Sequence, residues 1–236
     1  MFLDPLLLQT PSLALSQAAR EELRILDHLK LMLRTVWALR LDQSKQAKIG
    51  EWYDRIVAIQ VALKDYLGRI ADENLRDSDI DRRFNLLDYS QELVIIGTLI
   101  KRDLADAAVA RSLKEFQADD LAELENILSR TLERMQKAMV LLMTQDVAMA
   151  NRFIQEKEQI SEHYRSVRKR HLERLVPGQN LDTGLFDLLN CFRRINSHLT
   201  AVAYAIVRGS SVVGPDPDES WLTGDGAVTR LKLATE

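Results

Sequence analysis

The sequence predicts an all-α protein composed of two tandem three-helix bundles. Three observations predict this fold class: six stretches with apolar residues at every third or fourth position, few helix-breaking residues, and an internal repeat. The chain of 236 residues contains only 9 glycines and 5 prolines. A long chain with so few helix breakers forms long helices more readily than a β fold that needs many turns.

Six apolar stripes define the six predicted helices. Along each stripe the apolar residues recur at helical spacing, which is typical of amphipathic helices that pack side by side in a bundle. The stripes begin at Leu15, Ile49, Leu86, Leu121, Phe153 and Leu185 and end at Leu39, Ile70, Leu104, Leu142, Leu175 and Ile206.

Polar and helix-breaking segments separate the stripes. Ser12 or Ser16 is predicted to cap the first helix, and Ser78 or Asp79 is predicted to accept hydrogen bonds from the free amides of the third helix. The remaining breaks are predicted at 41–44, 72–79, 117–120, 177–180 and 209–211. Start or stop signals therefore separate the stripes, except between the fourth and the fifth, where no break is predicted.

The sixth stripe repeats the third. In the shared register the apolar residues align as Leu185 on Leu86, Phe192 on Leu93, Ile195 on Ile96 and Leu199 on Ile100. Two bundle helices can also align in this way because their heptads coincide. On the repeat interpretation we expect a first bundle at 12–112 and a second at 117–208. A linker-like segment at 1–11 precedes them, and a tail rich in Gly, Pro and Asp follows at 209–236.

Charge, cysteine content and hydropathy exclude several classes of protein. The net charge is −3, so no global field favours nucleic acid. The one cysteine, Cys191, excludes an internal disulfide framework and favours a reducing compartment. No apolar run approaches the ~18 residues that span a bilayer, and the N-terminus lacks the pattern of a signal peptide. We expect a soluble, cytoplasmic chain without a transmembrane segment.

The last predicted helix carries a polar stretch, RRINSH, inside the segment 192–206. With Ile195 at the centre of the buried stripe and ~100° per residue, Arg193, Ser197 and Tyr204 fall on the opposite, outer side of the helix. Arg193 and Ser197 can hold an anion through charge-assisted hydrogen bonds. A plain solvated face is the alternative.

Three further polar residues lie nearer the buried stripe. Arg194 and Asn196 are predicted on its two flanks, and His198 on one shoulder. Because no carboxylate is predicted near His198, a half-buried packing role is favoured over an acid–base or ligand role. The candidate contacts for a partner or ligand are Arg193, Arg194, Asn196, Ser197, His198 and Tyr204.

No catalytic or cofactor motif accompanies these residues. The chain has no glycine-rich phosphate loop, no Glu-x-x-His pair and no Gly-x-Ser-x-Gly elbow. Acids at helical spacing are interpreted as surface acids rather than cation ligands; they are Glu51, Asp54, Glu156, Glu158 and Glu162. A dense basic run at 165–174 is typical of a solvated helix face, or of a face that docks on acidic protein or lipid headgroups.

Two tandem three-helix bundles with RRINSH on the last helix resemble the PhoU family. PhoU proteins carry a Glu-Arg-Ile-x-Asp-His-x-x-Asn-Ile motif on the third helix of each bundle, and the matching window here is 193–198. The chain is more similar to the cytosolic PhoU-like domain at the C-terminal end of bacterial Na/Pi-cotransporter family proteins. That domain reads much like the segment from Asp187 to Tyr204 and opens much like the segment from Phe2 to Pro11.

The motif departs from the metal-binding members of that family. In those proteins the Glu and Asp of the motif hold multinuclear iron or other metals. The two positions are Arg193 and Ser197 here, and the equivalent positions of the first bundle are Val94 and Thr98. Arginine and valine cannot coordinate a cation. We therefore predict that the metal clusters are absent and that the chain has no cofactor.

The resemblance implies a non-enzymatic regulatory domain of a sodium-dependent phosphate (Na/Pi) cotransporter-like protein, at the inner face of the plasma membrane. Its partner is expected to be the transmembrane portion of a phosphate transporter, in the same or another chain, or a signalling protein. Two alternatives stay open: a free-standing PhoU-type adaptor that binds a transporter or sensor kinase, and a metal-dependent helical-bundle enzyme. Long exposed helix faces are also compatible with a homodimer.

Overall fold

The computed structural model confirms the all-α class. It describes residues 3–39, 42–71, 75–110, 116, 118–174 and 184–210, and within these ranges every regular element is helical. The helices are α1 (Pro11–Leu39), α2 (Gln46–Gly68), α3 (Asp77–Thr98), α4 (Ala105–Ala110), α5 (Ala118–Thr144), α6 (Val147–Arg174) and α7 (Gly184–Ser210). Short 3-10 helices lie at Pro5–Gln9 and Gln43–Lys45.

The predicted start of the first helix was wrong. The helix α1 begins at Pro11, and the amides of Leu13 and Ala14 donate to the Thr10 carbonyl. Proline suits this first position because its fixed φ is helical and its missing N–H would have had no partner there. Ser12 and Ser16 consequently lie inside the helix, where the Ser16 hydroxyl donates to the Ser12 carbonyl at 2.7 Å.

The third helix begins at Asp77, inside the predicted loop at 72–79, so that Ser78 and Asp79 lie within the helix, and its end is also unexpected. Asp79 accepts a hydrogen bond from the Arg76 amide at 3.4 Å, immediately before α3. At its other end α3 continues into a π-helical segment, Leu99–Leu104, and then into α4. The wider turn of a π-helix changes which carbonyls are bonded within the helix. One of them, Leu99, accepts a hydrogen bond from the Cys191 thiol of α7.

The N-terminal segment, expected to be linker-like, packs on the first three helices. The Asp4 carboxylate accepts from the Leu6 amide at 2.9 Å and so caps the 3-10 helix. The Tyr66 hydroxyl donates to the Asp4 carbonyl at 2.9 Å, and Leu3 and Leu8 pack against a small apolar cluster. These contacts fix the segment to α1 and α2.

The turn between α5 and α6 is tight. Gln145 has a φ of 52°, in the left-handed region, and its amide donates to the Leu141 carbonyl. The Asp146 carboxylate then accepts from the Met149 amide at 2.9 Å and caps α6. The breaks predicted at Gln117 and 177–180, and the tail from 211 to 236, lie outside the described residues.

A large apolar core joins the two sets of helices, and a second, smaller apolar cluster lies within the first set. Helices α1, α2 and α3 pack on one another, α7 packs on α5 and α6, and the two sets meet where α3 contacts α7 and α1 contacts α5. The repeat positions of α3 and α7 are all buried: Leu86, Leu93, Ile96, Ile100, Leu185, Phe192, Ile195 and Leu199. The division into two bundles at 12–112 and 117–208 stays a prediction.

Within the described ranges, none of the helices combines the length and the apolar character needed to cross a membrane.

Candidate functional site

The polar stretch of α7 divides into an exposed and a buried part. Arg193 is exposed, and Ser197 and Tyr204 are half-buried on the outer side. The ammonium group of Lys157 lies 5.6 Å from the centre of the Tyr204 ring. This side of the helix is therefore available to a partner, as its helical phase predicts.

Asn196 corrects the predicted arrangement. It was placed on an accessible flank, but α5 and α6 cover that flank and the residue is only 2% exposed. Its amide donates to the Thr131 hydroxyl at 3.1 Å, to the Tyr164 hydroxyl at 3.1 Å and to the Phe192 carbonyl at 2.9 Å. The stretch therefore does place a polar group inside the core.

Arg134 extends this buried network. Its guanidinium donates to the Thr200 hydroxyl at 3.1 Å and to the Glu156 carboxylate at 3.0 Å, and it lies 3.8 Å from the centre of the Phe153 ring. The Thr200 hydroxyl donates in turn to the Asn196 carbonyl at 2.8 Å. A buried charge is tolerated when it is paired and hydrogen-bonded in this way.

The surroundings of the network shift its ionisation. Burial lowers the pKa of Arg134 from its ordinary value, while the nearby Glu156 carboxylate opposes this change. Burial raises the pKa of Tyr164 to about 12. The network thus pairs the buried Arg134 guanidinium with the partly exposed Glu156, and its other members are hydroxyl, amide and carbonyl groups. This composition is suited to positioning helices rather than to proton transfer.

His198 has the carboxylate partner that sequence reasoning did not foresee. Its Nδ1 lies 2.5 Å from the Glu92 Oε2 of α3, and the two side chains are 26% and 31% exposed. Arg194 pairs with Asp103 of the π-helical segment at 2.9 Å. Both contacts join α7 to the α3 segment, so the polar stretch connects the two sets of helices.

Cys191 lies beside these links as a buried thiol. It is 3% exposed, and its Sγ donates to the Leu99 carbonyl. Burial raises the pKa of Cys191 to about 12. The side chain is therefore a neutral core group at physiological pH rather than a nucleophile.

The side chains on the outer face of α3 do not fit the metal cluster that a resemblance to metal-binding PhoU proteins implies. The Thr98 hydroxyl donates to the Val94 carbonyl at 3.0 Å and lies 3.1 Å from the Tyr53 hydroxyl. The Lys101 ammonium sits 4.4 Å from the centre of the Tyr53 ring and 3.8 Å from Asp54. Among the described residues no three His, Cys, Asp or Glu side chains are grouped as metal ligands. The groups that surround Thr98 on this face are thus a tyrosine hydroxyl and, beside the tyrosine ring, a lysine ammonium paired with Asp54.

The basic run of α6 is largely engaged with neighbouring side chains. Arg170 pairs with Glu123 at 3.0 Å, and His171 Nδ1 lies 3.2 Å from Asp120. Further contacts of the run are Arg165 with Glu158 at 3.3 Å, Lys169 with Glu173 at 3.8 Å, and Arg168 over the Phe186 ring at 4.9 Å. Most of these pairs lie within the solvated surface and add little stability.

The fold is that of the PhoU proteins. The structure superposes on PhoU from Pseudomonas aeruginosa with a TM-score of 0.70 and 15% identity, over 83% of this chain and 96% of that one. The phosphate transport system regulatory protein PhoU from Streptococcus pneumoniae gives a TM-score of 0.64 and 15% identity, over 85% of this chain and 93% of that one. At such low identity the likeness establishes the fold.

Sequence comparison agrees with the fold. Residues 109–206 match the PhoU domain family model. The chain is 29% identical over 225 residues to the "Putative inorganic phosphate export protein YjbB" of Escherichia coli (strain K12), and 28% identical to the protein of the same name in Salmonella typhimurium. The alignment covers 92% of this chain but only 40% of the Escherichia coli relative. Residues 109–206 therefore match a PhoU domain, and the chain spans less than half the length of these curated relatives.

Proposed function

We propose that the chain is the regulatory, non-enzymatic domain of a sodium-dependent phosphate cotransporter-like protein at the inner face of the plasma membrane. The observation that supports this most strongly is the likeness to phosphate export proteins over 92% of the chain, which accounts for only 40% of those proteins. The partner of the domain is the transmembrane portion of a phosphate transporter, in the same or another chain.

The arrangement of the helices supports a role in protein contact. A core shared by both sets of helices holds α3 and α7 in one fixed relation, and His198 and Arg194 add polar links between them. The outer side of α7, with Arg193, Ser197 and Tyr204, is the proposed contact surface. A second copy of the chain is a further possible partner for the long exposed helix faces.

A free-standing phosphate-signalling adaptor is the second candidate. It is favoured by the likeness to the PhoU structures, which extends over 96% and 93% of those chains and so needs no additional domain. The reading frame separates the two candidates, because several hydrophobic spans encoded before Phe2 in the same frame are expected only for the transporter domain.

Phosphate flux tests the function that both candidates share. An in-frame deletion of residues 12–208 in the organism that encodes the chain is expected to change the uptake or release of radiolabelled phosphate, and the wild-type chain is expected to restore it. Unchanged flux in both directions would contradict the proposal.

A charge reversal tests the contact surface. In the complementation assay Arg193→Glu is expected to restore flux poorly, because it reverses an exposed charge on the proposed surface. Arg69→Glu is the matched control, since Arg69 is a half-exposed arginine on a different helix end with only a long ion pair. Equal restoration of phosphate flux by both variants would contradict the outer side of α7 as the contact surface.

A further inference from the structure

A cleft of about 400 Å³ lies where the two sets of helices meet. The first turns of α3 form one wall and the last turns of α7 form the other, while the turn between α5 and α6 closes one end. The cleft is separate from the outer side of α7 and from the faces of the motif positions Val94 and Thr98. Clefts between packed units are frequent places for small-molecule binding.

A buried polar group at the floor of the cleft lacks a hydrogen-bond partner among the described residues. Tyr89 lines the cleft and is 3% exposed, and its hydroxyl makes no hydrogen bond within the described part of the chain. Both carboxyl oxygens of the fully buried Glu22, which acts electrostatically on Tyr89, likewise make no hydrogen bond there, although Glu22 does not line the cleft. Such groups cost free energy unless something satisfies them, so their presence together is informative.

Arg82 adds a cation to the same floor. It is half-buried, lines the cleft and acts electrostatically on Glu22, yet it forms no ion pair or hydrogen bond within the described ranges. The neighbouring Asp81 is exposed at the rim, where solvent screens its charge. Burial raises the pKa of Glu22, which disfavours its charged form, so this carboxyl competes less with a bound anion for Arg82.

The opposite side of the cleft is apolar. Val202 and Ile206 of α7 face it, together with Leu142 and Val147 from either side of the α5–α6 turn. A ligand held here meets a hydrocarbon wall on one side and a cation with a tyrosine hydroxyl on the other. An inorganic anion can interact favourably only with the polar side of the cleft and leaves the apolar side without a partner.

We infer that the cleft binds a small amphipathic organic anion, with its apolar body against Val202 and Ile206 and its anionic group between Arg82 and Tyr89. This site is independent of the proposed role in phosphate transport. A ligand held there contacts both α3 and α7, so its binding depends on how the two sets of helices are placed relative to each other.

Fluorescence titration with anilinonaphthalene sulfonate tests the site, because this probe combines an aromatic body with a sulfonate. The folded wild-type chain is expected to bind one probe molecule saturably. Arg82→Gln is expected to weaken binding about tenfold through loss of a charge-assisted hydrogen bond. Ala205→Trp, which fills the cleft, is expected to abolish binding. Arg69→Gln is the matched control and is expected to bind like wild type.

Two comparisons on the wild-type chain keep the test decisive if the cleft-filling variant fails to fold. The neutral analogue phenylnaphthylamine is expected to bind much more weakly than the sulfonate. Octyl sulfate is expected to displace the probe at concentrations where octanol and inorganic phosphate do not. Binding that is insensitive to Arg82→Gln, equal binding of the neutral analogue, or displacement by inorganic phosphate alone would overturn the inference.

Discussion

At the scale of single residues, the core of the second set of helices is organised around Asn196. The side chain sits at a position that helical phase alone assigns to a flank, and it finds acceptors on α5, α6 and its own helix. Such a group fixes the relative rotation of three helices, because only one register provides all of its hydrogen bonds. The polar group thus supplies specificity that Leu or Ile at the same place does not.

Removing this side chain should destabilise the protein. Asn196→Ala leaves the hydroxyls of Thr131 and Tyr164 with one partner fewer in a buried site, so the free energy of unfolding is expected to fall by about 1–3 kcal/mol. Ser197→Ala is the neighbouring control on the outer side and is expected to change it by no more than about 0.5 kcal/mol. Urea unfolding measures both values, and equal effects would contradict the network.

Glu22 gives a pH-dependent prediction. Burial raises the pKa of this carboxyl well above its ordinary value of 4.5. Its contribution to stability is therefore complete below pH 4.5 and is lost as the pH rises towards the folded-state pKa, because only the unfolded chain releases the proton easily. Relative to Glu22→Gln, wild-type stability is expected to fall by about 1.4 kcal/mol per pH unit in this interval.

Urea unfolding of wild type and Glu22→Gln at a series of pH values above 4.5 measures this difference. Glu21→Gln does not serve as a control, because Glu21 pairs with Arg24. Glu51→Gln does serve, since Glu51 is exposed on α2. A constant difference between wild type and Glu22→Gln across the pH range would contradict a buried, protonated carboxyl.

The sequence predicted the exposed residues of the candidate site better than the buried ones. Helical phase placed Arg193 on the outer side of α7 correctly, because Arg193 lies opposite the apolar stripe of its own helix. The burial of Asn196 and the pairing of His198 with Glu92 depend on which helices lie alongside, and a single sequence does not contain that information directly. The available signal in the sequence was that Thr131 and Asn196 directly adjoin the apolar residues Leu132 and Ile195.

At the scale of helices, α7 joins the two sets. It contacts α5 and α6 on one side and α3 with its π-helical extension on the other. The short contact between His198 and Glu92 is partly sheltered, whereas Arg194 and Asp103 are 52% and 45% exposed. Solvent screening weakens the second pair more than the first.

A double-mutant cycle separates these two links. The coupling free energy between His198→Ala and Glu92→Ala is expected to be about 1 kcal/mol or more at a pH where the imidazole is protonated. For Arg194→Ala with Asp103→Ala it is expected to be below about 1 kcal/mol and to vanish at high salt. A larger coupling free energy for Arg194 with Asp103 than for His198 with Glu92 would contradict this account of how α7 is linked to α3.

Gly97 tests the packing of α3 on α1 and α2. A Cβ at this position would lie 3.2 Å from Tyr53 Cδ2 and 3.5 Å from Leu29 Cδ2, whereas a Cβ at Gly50 meets nothing within 4 Å. Gly50→Ala is expected to stabilise the protein by about 0.5–1 kcal/mol through helix propensity. Gly97→Ala is expected to be about 1–3 kcal/mol less stable than Gly50→Ala because Tyr53 must move. Thermal unfolding checks the order.

The helices were predictable to different degrees. The stripe of an amphipathic helix records its buried face, and all seven stripe positions of α7 are buried; they are Leu185, Leu188, Phe192, Ile195, Leu199, Val202 and Ile206. The π-helical segment at Leu99–Leu104 was not predicted, since its extra residue per turn leaves no compositional signature. The start of α1 was misplaced because Pro11 competes successfully with the two serines.

At the scale of the whole molecule, the chain has the PhoU-like fold, and the predicted motif positions carry no carboxylates. The apolar core and the helix order suffice for the fold, and positions outside the core are free to change. The resemblance to the metal-binding members aligns Arg193, Ser197, Val94 and Thr98 with their Glu and Asp. We propose that the surface formed in this way contacts a transporter directly rather than through a metal cluster.

Metal content measures this claim most directly. The purified chain is incubated with iron, manganese and zinc salts, desalted and analysed for each element, before and after mild chelation. We expect far less than one transition-metal ion per chain, and an unchanged thermal midpoint after chelation. Two or more ions per chain, lost together with stability on chelation, would contradict the account.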